Sequence, residues 1–197
     1  MEAERASGPC PASPFQKQFL AIGGTEPMLA RTVRRVEKLV GPERTLIVTG
    51  RDLLGPTADC VPWLTADNLL AEPAGRNTAP CVGLAARLVS HRDRDAVMAV
   101  LPADHVIADE PAFRGILEHA ARLAAFYGAV VTLAIPPRYA ETGYGYMELG
   151  ERIDDDSGLS IRRVDRFHEK TRPRNGGKIC RERKIRVELG GLRLPRA

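Results

Sequence analysis

Cysteine is scarce, with four residues (Cys10, Cys60, Cys81, Cys180) in 197, and they are too scattered for a disulfide framework or a zinc knuckle. That points to a reducing compartment. Aromatic residues make up only 5% of the chain, with a single tryptophan. No apolar run is long enough to cross a bilayer. The longest, Leu123 to Pro137, is interrupted by Tyr127 and Gly128 and falls short of the roughly 20 residues required. The acidic start of the chain carries no basic segment leading into an apolar one, so no signal peptide is read there. These features together predict a cytoplasmic protein with no membrane partner.

What is present is ordinary globular material, 44% hydrophobic and 27% charged, enough for one domain with a sizeable core. The net charge of +4 is misleading. Residues 171–197 hold nine basic and two acidic side chains, a net +7, whereas residues 1–170 hold 20 and 23, a net −3. The basic character therefore belongs to the tail, and a nucleic-acid partner is not expected of the domain. Three regions are expected: an irregular arm over 1–16, a domain over 17–170 and a basic tail over 171–197.

Periodicity predicts helices over Met28–Val40, Thr78–Ser90 and Glu110–Tyr127, the last with Pro111 in its first turn, where a missing N–H costs nothing. Short apolar runs predict buried strands at Thr45–Thr49, Leu69–Glu72, Ala96–Leu101 and Ala129–Ile135. Residues 143–149 and 160–167 alternate and predict less buried strands, joined by the acidic turn Asp154–Gly158. That turn suits a solvated hairpin loop better than a cation site. Helices alternating with apolar strands give an α/β fold with a mostly parallel sheet, in which ligands sit beyond the carboxyl ends of the strands.

Four clusters follow those strand ends. Glu72-Pro73-Ala74-Gly75-Arg76-Asn77-Thr78-Ala79-Pro80 opens a helix that Asn77 or Thr78 can cap. The helix N-terminus, Arg76 and the Asn77 amide offer donors, and Glu72 offers acceptors. A plain capped loop is the other reading. Leu101-Pro102-Ala103-Asp104-His105 puts a carboxylate where Mg²⁺ is held by few protein oxygens plus substrate phosphates, or else Asp104 caps a turn and His105 packs. Glu141-Thr142-Gly143-Tyr144-Gly145-Tyr146 combines glycines that let a ligand approach with rings that stack on a sugar, or is a strand with core tyrosines. Phe167-His168-Glu169-Lys170 offers an acceptor and a phosphate donor, or a solvated ion pair.

The strings KQFL (17–20), EPAGRNTAP (72–80), LPADHVI (101–107), ETGYGYMELG (141–150) and VDRFHEK (164–170) together resemble the nucleotidyltransferases that make nucleotide sugars. Within that family they are most similar to the bacterial mannose-1-phosphate guanylyltransferases, or GDP-mannose pyrophosphorylases. The resemblance covers about residues 16–170 in the family's order. It implies a Rossmann-like nucleotide-diphospho-sugar transferase fold, Mg²⁺ as cofactor, and transfer of GMP from GTP to mannose 1-phosphate with release of pyrophosphate. Asp104 then falls at the metal position. Glu72, Gly75, Arg76, Asn77, Thr78, Ala79 and Pro80 fall at the nucleotide, Tyr144, Gly145 and Glu169 at the sugar, and Lys17 and Lys170 at the phosphates. Homo-oligomerisation stays open. Another sugar-nucleotide pyrophosphorylase and a non-catalytic nucleotide-binding fragment are the alternatives.

The sequence departs from the family pattern at both ends. Upstream of Lys17 neither the first strand nor the glycine-rich loop that wraps the triphosphate is recognisable, and Lys170 is followed by the basic tail instead of a W-N-S-G segment. The fold is therefore expected to be incomplete and the chain inactive or impaired. Permitted codons for residues 170–196, read one base later, spell a string containing W-N-S-G. A similar shift over residues 1–15 gives a glycine-rich string. Both ends are thus expected to be out of frame, which the nucleotide sequence of the gene tests.

Overall fold

The computed structural model describes residues 16–75, 77–137, 139, 144–168, 185–186 and 191–193. The chain divides into two compact units, Met1–Val130 with Leu192–Ala197, and Val131–Gly191.

The first unit begins with a 3-10 turn, Lys17–Phe19, and helix α1, Met28–Val36. Met28, Leu29, Thr32, Val33 and Val36 recur at helical spacing and are all buried, so α1 is held by its apolar face. The helix is shorter than the sequence suggests. Past Val36 the chain passes into a turn, where the Leu39 and Val40 N–H groups share the Val36 carbonyl, and Pro42 opens a 3-10 turn, Pro42–Arg44. Strand β1, Ile47–Gly50, runs parallel to β2, Leu69–Glu72, in the register Ile47↔Leu69 to Gly50↔Glu72. The crossover between them holds helix α2, Leu54–Cys60. Sequence reading missed α2 because Gly55 and Pro56 look like breakers. Here Pro56 stands in the first turn, where its absent N–H has no intrahelical partner to lose.

Phe19, Leu29, Ala30, Val33, Cys60 and Val61 form the core of this unit, with Ile47, Leu53, Trp63, Leu64 and Ala103 packed against it. Asn68 locks the entry to β2. It is 6% exposed. Its amide donates to the Pro42 and Thr45 carbonyls at 2.6 and 2.7 Å and accepts from the Thr65 N–H and hydroxyl at 2.8 and 2.9 Å. Helix α3 spans Thr78–Arg92, strand β3 Val97–Ala99 and helix α4 Glu110–Tyr127. Asp109 caps α4 by accepting from the Ala112 N–H at 2.9 Å, and Gly128, at φ 62°, ends it in the left-handed conformation that glycine adopts freely.

The second unit is an antiparallel sheet. Strand β4, Tyr146–Ile153, lies between β5, Ile161–His168, and β6, Ile185–Arg186. Its acidic turn is the hairpin loop expected, with Asp154 paired to Arg152 at 2.8 Å and the Ser157 N–H donating to the Asp155 carboxylate at 3.1 Å. Strand β7, Gly191–Arg193, whose Leu192 and Arg193 belong to the first unit, pairs there with β3.

The mixed α/β class with parallel strands is as expected, but the degree of burial is not. β1 and β2 are half-buried throughout, where continuous apolar runs predict strands covered on both faces. The segment 129–135 contributes only bridge residues at Thr132 and Ile135, with Val130 and Ile135 exposed. An apolar run forms a ladder only when a neighbouring strand satisfies its backbone groups.

Candidate functional site

In the first unit, the carboxyl ends of β1 and β3 open on a cleft of about 250 Å³. Its walls come from Ile47, Val48 and Thr49 of β1, Thr57 of α2, Leu29 of α1 and Gln18 and Phe19 of the first 3-10 turn. Pro102, Ala103 and Asp104, just past β3, complete it. The lining mixes apolar residues with the polar side chains of Gln18, Thr49, Thr57 and Asp104. Sequence reading found Asp104 here but missed Gln18, Thr49 and Thr57. The KQFL string was the available signal for Gln18; the threonines give none.

Asp104 is exposed, in the turn after β3. One free carboxylate at a cleft mouth fits a Mg²⁺ ion arriving with phosphate ligands. Among the described residues no cluster of three or more acidic, histidine or cysteine side chains forms a standing metal cage. Lys17 is exposed and directly precedes the cleft residue Gln18. Glu72 ends β2 opposite Gly50, one residue beyond the cleft residue Thr49, so it stands at the same sheet edge as the cleft.

Past Glu72, the loop enters α3 with Gly75, Asn77, Thr78, Ala79 and Pro80 all exposed. Asn77 stands at the N-cap position but makes no side-chain cap, which corrects the capping expected of it. It has φ 65° and ψ −174°, a conformation that costs any residue with a Cβ energy. Among the described residues no side chain caps the Thr78 and Ala79 N–H groups at the start of α3, and Pro80 has none to cap, which leaves those two for an anion or a carbonyl. Cys81, in the same turn, has its thiol pushed above the usual range, first by burial and then by the negative charge of Glu72. Arg76, Glu169 and Lys170 lie outside the described residues.

Tyr144 and Gly145 belong to the second unit. Tyr144 is half exposed, and Tyr146 is fully buried. The space a side chain would take at Gly145 is filled by the Phe167 ring, whose tip would lie 2.6 Å from a Cβ there. Packing against Phe167 is thus one reason for a glycine at this position. His168 lies 3.3 Å from Glu148 across the β4–β5 pair.

The parallel pair β1–β2 joined through α2, with a cleft beyond the carboxyl ends of β1 and β3, defines an α/β fold of the kind that binds ligands at its strand ends. The chain belongs to the nucleotidyl transferase family, whose model matches residues 12–178. It is 42% identical over 145 residues to the mannose-1-phosphate guanylyltransferase RfbM of Salmonella typhimurium, covering 72% of this chain and 30% of that protein. To the mannose-1-phosphate guanylyltransferase of Escherichia coli K12 it is 38% identical over 160 residues, covering 79% of this chain and 33% of that one. The chain thus spans about a third of the length of the curated relatives it matches. A crystal structure described as mannose-1-phosphate geranyltransferase from Thermus thermophilus superposes with a TM-score of 0.74 at 31% identity, covering 89% of this chain and 49% of that one. Mannose-6-phosphate isomerase from Helicobacter pylori gives the same TM-score at 24% identity, covering 91% and 66%, and shares the fold alone.

Among the described residues no helix is long and apolar enough to cross a membrane.

Proposed function

We propose that this chain handles GTP and mannose 1-phosphate for guanylyl transfer, the reaction that yields GDP-mannose and pyrophosphate. The observation that carries this reading is the first unit's cleft, with the free carboxylate of Asp104 at its mouth and Lys17 beside its wall. The names of the relatives supply the base and the sugar.

In this reading Asp104 holds Mg²⁺ together with the phosphates, and the metal, when bound, neutralises their charge. Lys17 and Lys170 donate to the phosphates. Glu72 and the loop Gly75, Arg76, Asn77, Thr78, Ala79 and Pro80 hold the guanine, with the bare N–H groups of α3 and the Glu72 carboxylate matching its carbonyl and its amino group. Tyr144, Gly145 and Glu169 hold the sugar. The protein mainly positions the reacting oxygen and phosphorus and supplies compensating charge. Among the described residues Cys81 is a free thiol, which supports a reducing, cytoplasmic setting.

Thermal-shift titration with Mg²⁺ and each of GTP, UTP, CTP and dTTP tests the reading. Stabilisation by GTP at lower concentration than by the others, reduced in Asp104→Asn, is expected. Equal response to all four nucleotides would refute the guanine assignment. A pyrophosphate-release assay with mannose 1-phosphate then measures transfer.

A further inference from the structure

Among the described residues Arg35 is the only charged side chain that is buried, at 3% exposure. It comes from α1, whose other two arginines serve local partners: Arg31 donates to the Ile22 and Gly23 carbonyls, and Arg34 pairs with Glu26 and stacks on Trp63. Arg35 reaches much further along the chain. Its Nη2 donates to the His105 carbonyl at 3.2 Å, and its Nε donates to Glu110 Oε1 at 3.4 Å. The Phe113 ring lies 5.9 Å from the guanidinium carbon.

The His105 carbonyl belongs to the loop between β3 and α4, and the residue before it is Asp104. Ala103 and Asp104 stand in a turn just past β3, and Arg35 reaches that loop from α1. The loop is thus tied next to Asp104 by a side chain. A planar fork held at one nitrogen by a carboxylate fixes the direction of the other, which a lysine ammonium does not do. Arg114 supports the same carboxylate at 3.7 Å and donates to the Arg35 carbonyl at 3.3 Å, its hydrogen bond going to α1 and not to the loop.

We infer that Arg35 is a positioning residue, which sets the Asp104 carboxylate at the cleft mouth by gripping the His105 carbonyl, with Glu110 orienting its fork. The inference rests on the reading under Proposed function that Asp104 meets a metal–nucleotide. Partners one step removed from a metal ligand tune metal affinity by about 10–100-fold. A purely structural ion pair would change stability without that selectivity.

The test measures free Mn²⁺ by electron paramagnetic resonance in the presence of GTP, alongside the melting temperature, for the full chain and four variants. Asp104→Asn should abolish the tight Mn²⁺ site. Arg35→Lys should weaken it by about 10-fold or more. Arg114→Met should lower the melting temperature while leaving Mn²⁺ affinity within about 2-fold, since its hydrogen bond goes to α1 and not to the loop. Glu110→Gln, which keeps an acceptor for Nε but removes the charge that holds the fork in place, should weaken Mn²⁺ binding in the same direction and serves if Arg35→Lys does not fold. Wild-type affinity in Arg35→Lys or Glu110→Gln overturns the inference. So does a loss in Arg114→Met that tracks stability as closely as the loss in Arg35→Lys. Absence of an Asp104-dependent Mn²⁺ site in the unaltered chain instead refutes the functional reading itself, and the inference with it.

Discussion

The two units hold their structure in different ways. The first has a continuous core, from Phe19 through α1 to Cys60 and Val61, and ties its loops with buried polar groups such as Asn68 and Arg35. In the second, Tyr146 and Met147 at the start of β4 are buried, while six of the eight residues of β5 are exposed, including Val164 and Phe167. Hydrophobic burial scales with area removed from water, so most of the stabilisation in the described residues lies in the first unit. The unit with the cleft is therefore the one built to hold fixed geometry. The antiparallel sheet belongs to the low-stability end, where opening is local.

The largest expected effect falls on the buried charge. Glu110→Ala leaves the Arg35 guanidinium buried, with only the His105 carbonyl among its two hydrogen-bond partners. Burial already pulls Arg35 below its ordinary pKa, and Glu110 is the group that opposes that. Breaking a buried pair from one side costs about 3–5 kcal/mol, and the partial exposure of Glu110 places this one near the lower end. Urea titration followed by the fluorescence of Trp63, the sole tryptophan and a neighbour of the core, reads it directly. Amide exchange at Tyr146 should change far less. Equal changes at both probes would mean that the units open together and would dissolve the comparison.

Asn68→Ala comes next. It strands two carbonyls, of Pro42 and Thr45, together with the donors of Thr65. Buried groups left unpaired cost about 1–3 kcal/mol, and water can reach some of these through the half-buried surroundings, so about 2 kcal/mol is expected from the urea midpoint. Asp109→Ala should cost about 1 kcal/mol, the usual worth of a helix cap, with amide exchange accelerated first at Ala112.

What was legible in the sequence follows the range of the interactions. The bounds of β2 and α4 can be read from local signals, and α4 carries its own stop in Gly128. Asp104 was legible because the residue past an apolar strand has a position that topology dictates. Arg35 was not. Its partners lie 70 and 75 residues away, and on a basic helix it looks like any solvated arginine. Asn68 hides in the same way, since Thr65-x-x-Asn68 reads as a local cap while its decisive bonds run to Pro42 and Thr45. Half-buried strands were misjudged because apolar composition states what a segment prefers to cover, not which neighbour covers it.

The smallest effect separates two reasons for one glycine. At Gly145 an alanine Cβ would lie 2.6 Å from the tip of the Phe167 ring, which something must relieve. The ring is 48% exposed and can swing, so relief is cheap. Alanine also lowers the entropy of the unfolded chain, a gain of about 0.4–1 kcal/mol where the backbone accepts it. The two terms nearly cancel, and Gly145→Ala should shift amide exchange at Tyr146 by no more than about 0.5 kcal/mol while leaving Trp63 unchanged. In Phe167→Leu the same substitution should become neutral or stabilising. Binding of mannose 1-phosphate in that double variant then decides the matter. Retained affinity makes the glycine a packing residue beneath Phe167, and lost affinity at unchanged stability makes it a place where the sugar comes close to the backbone.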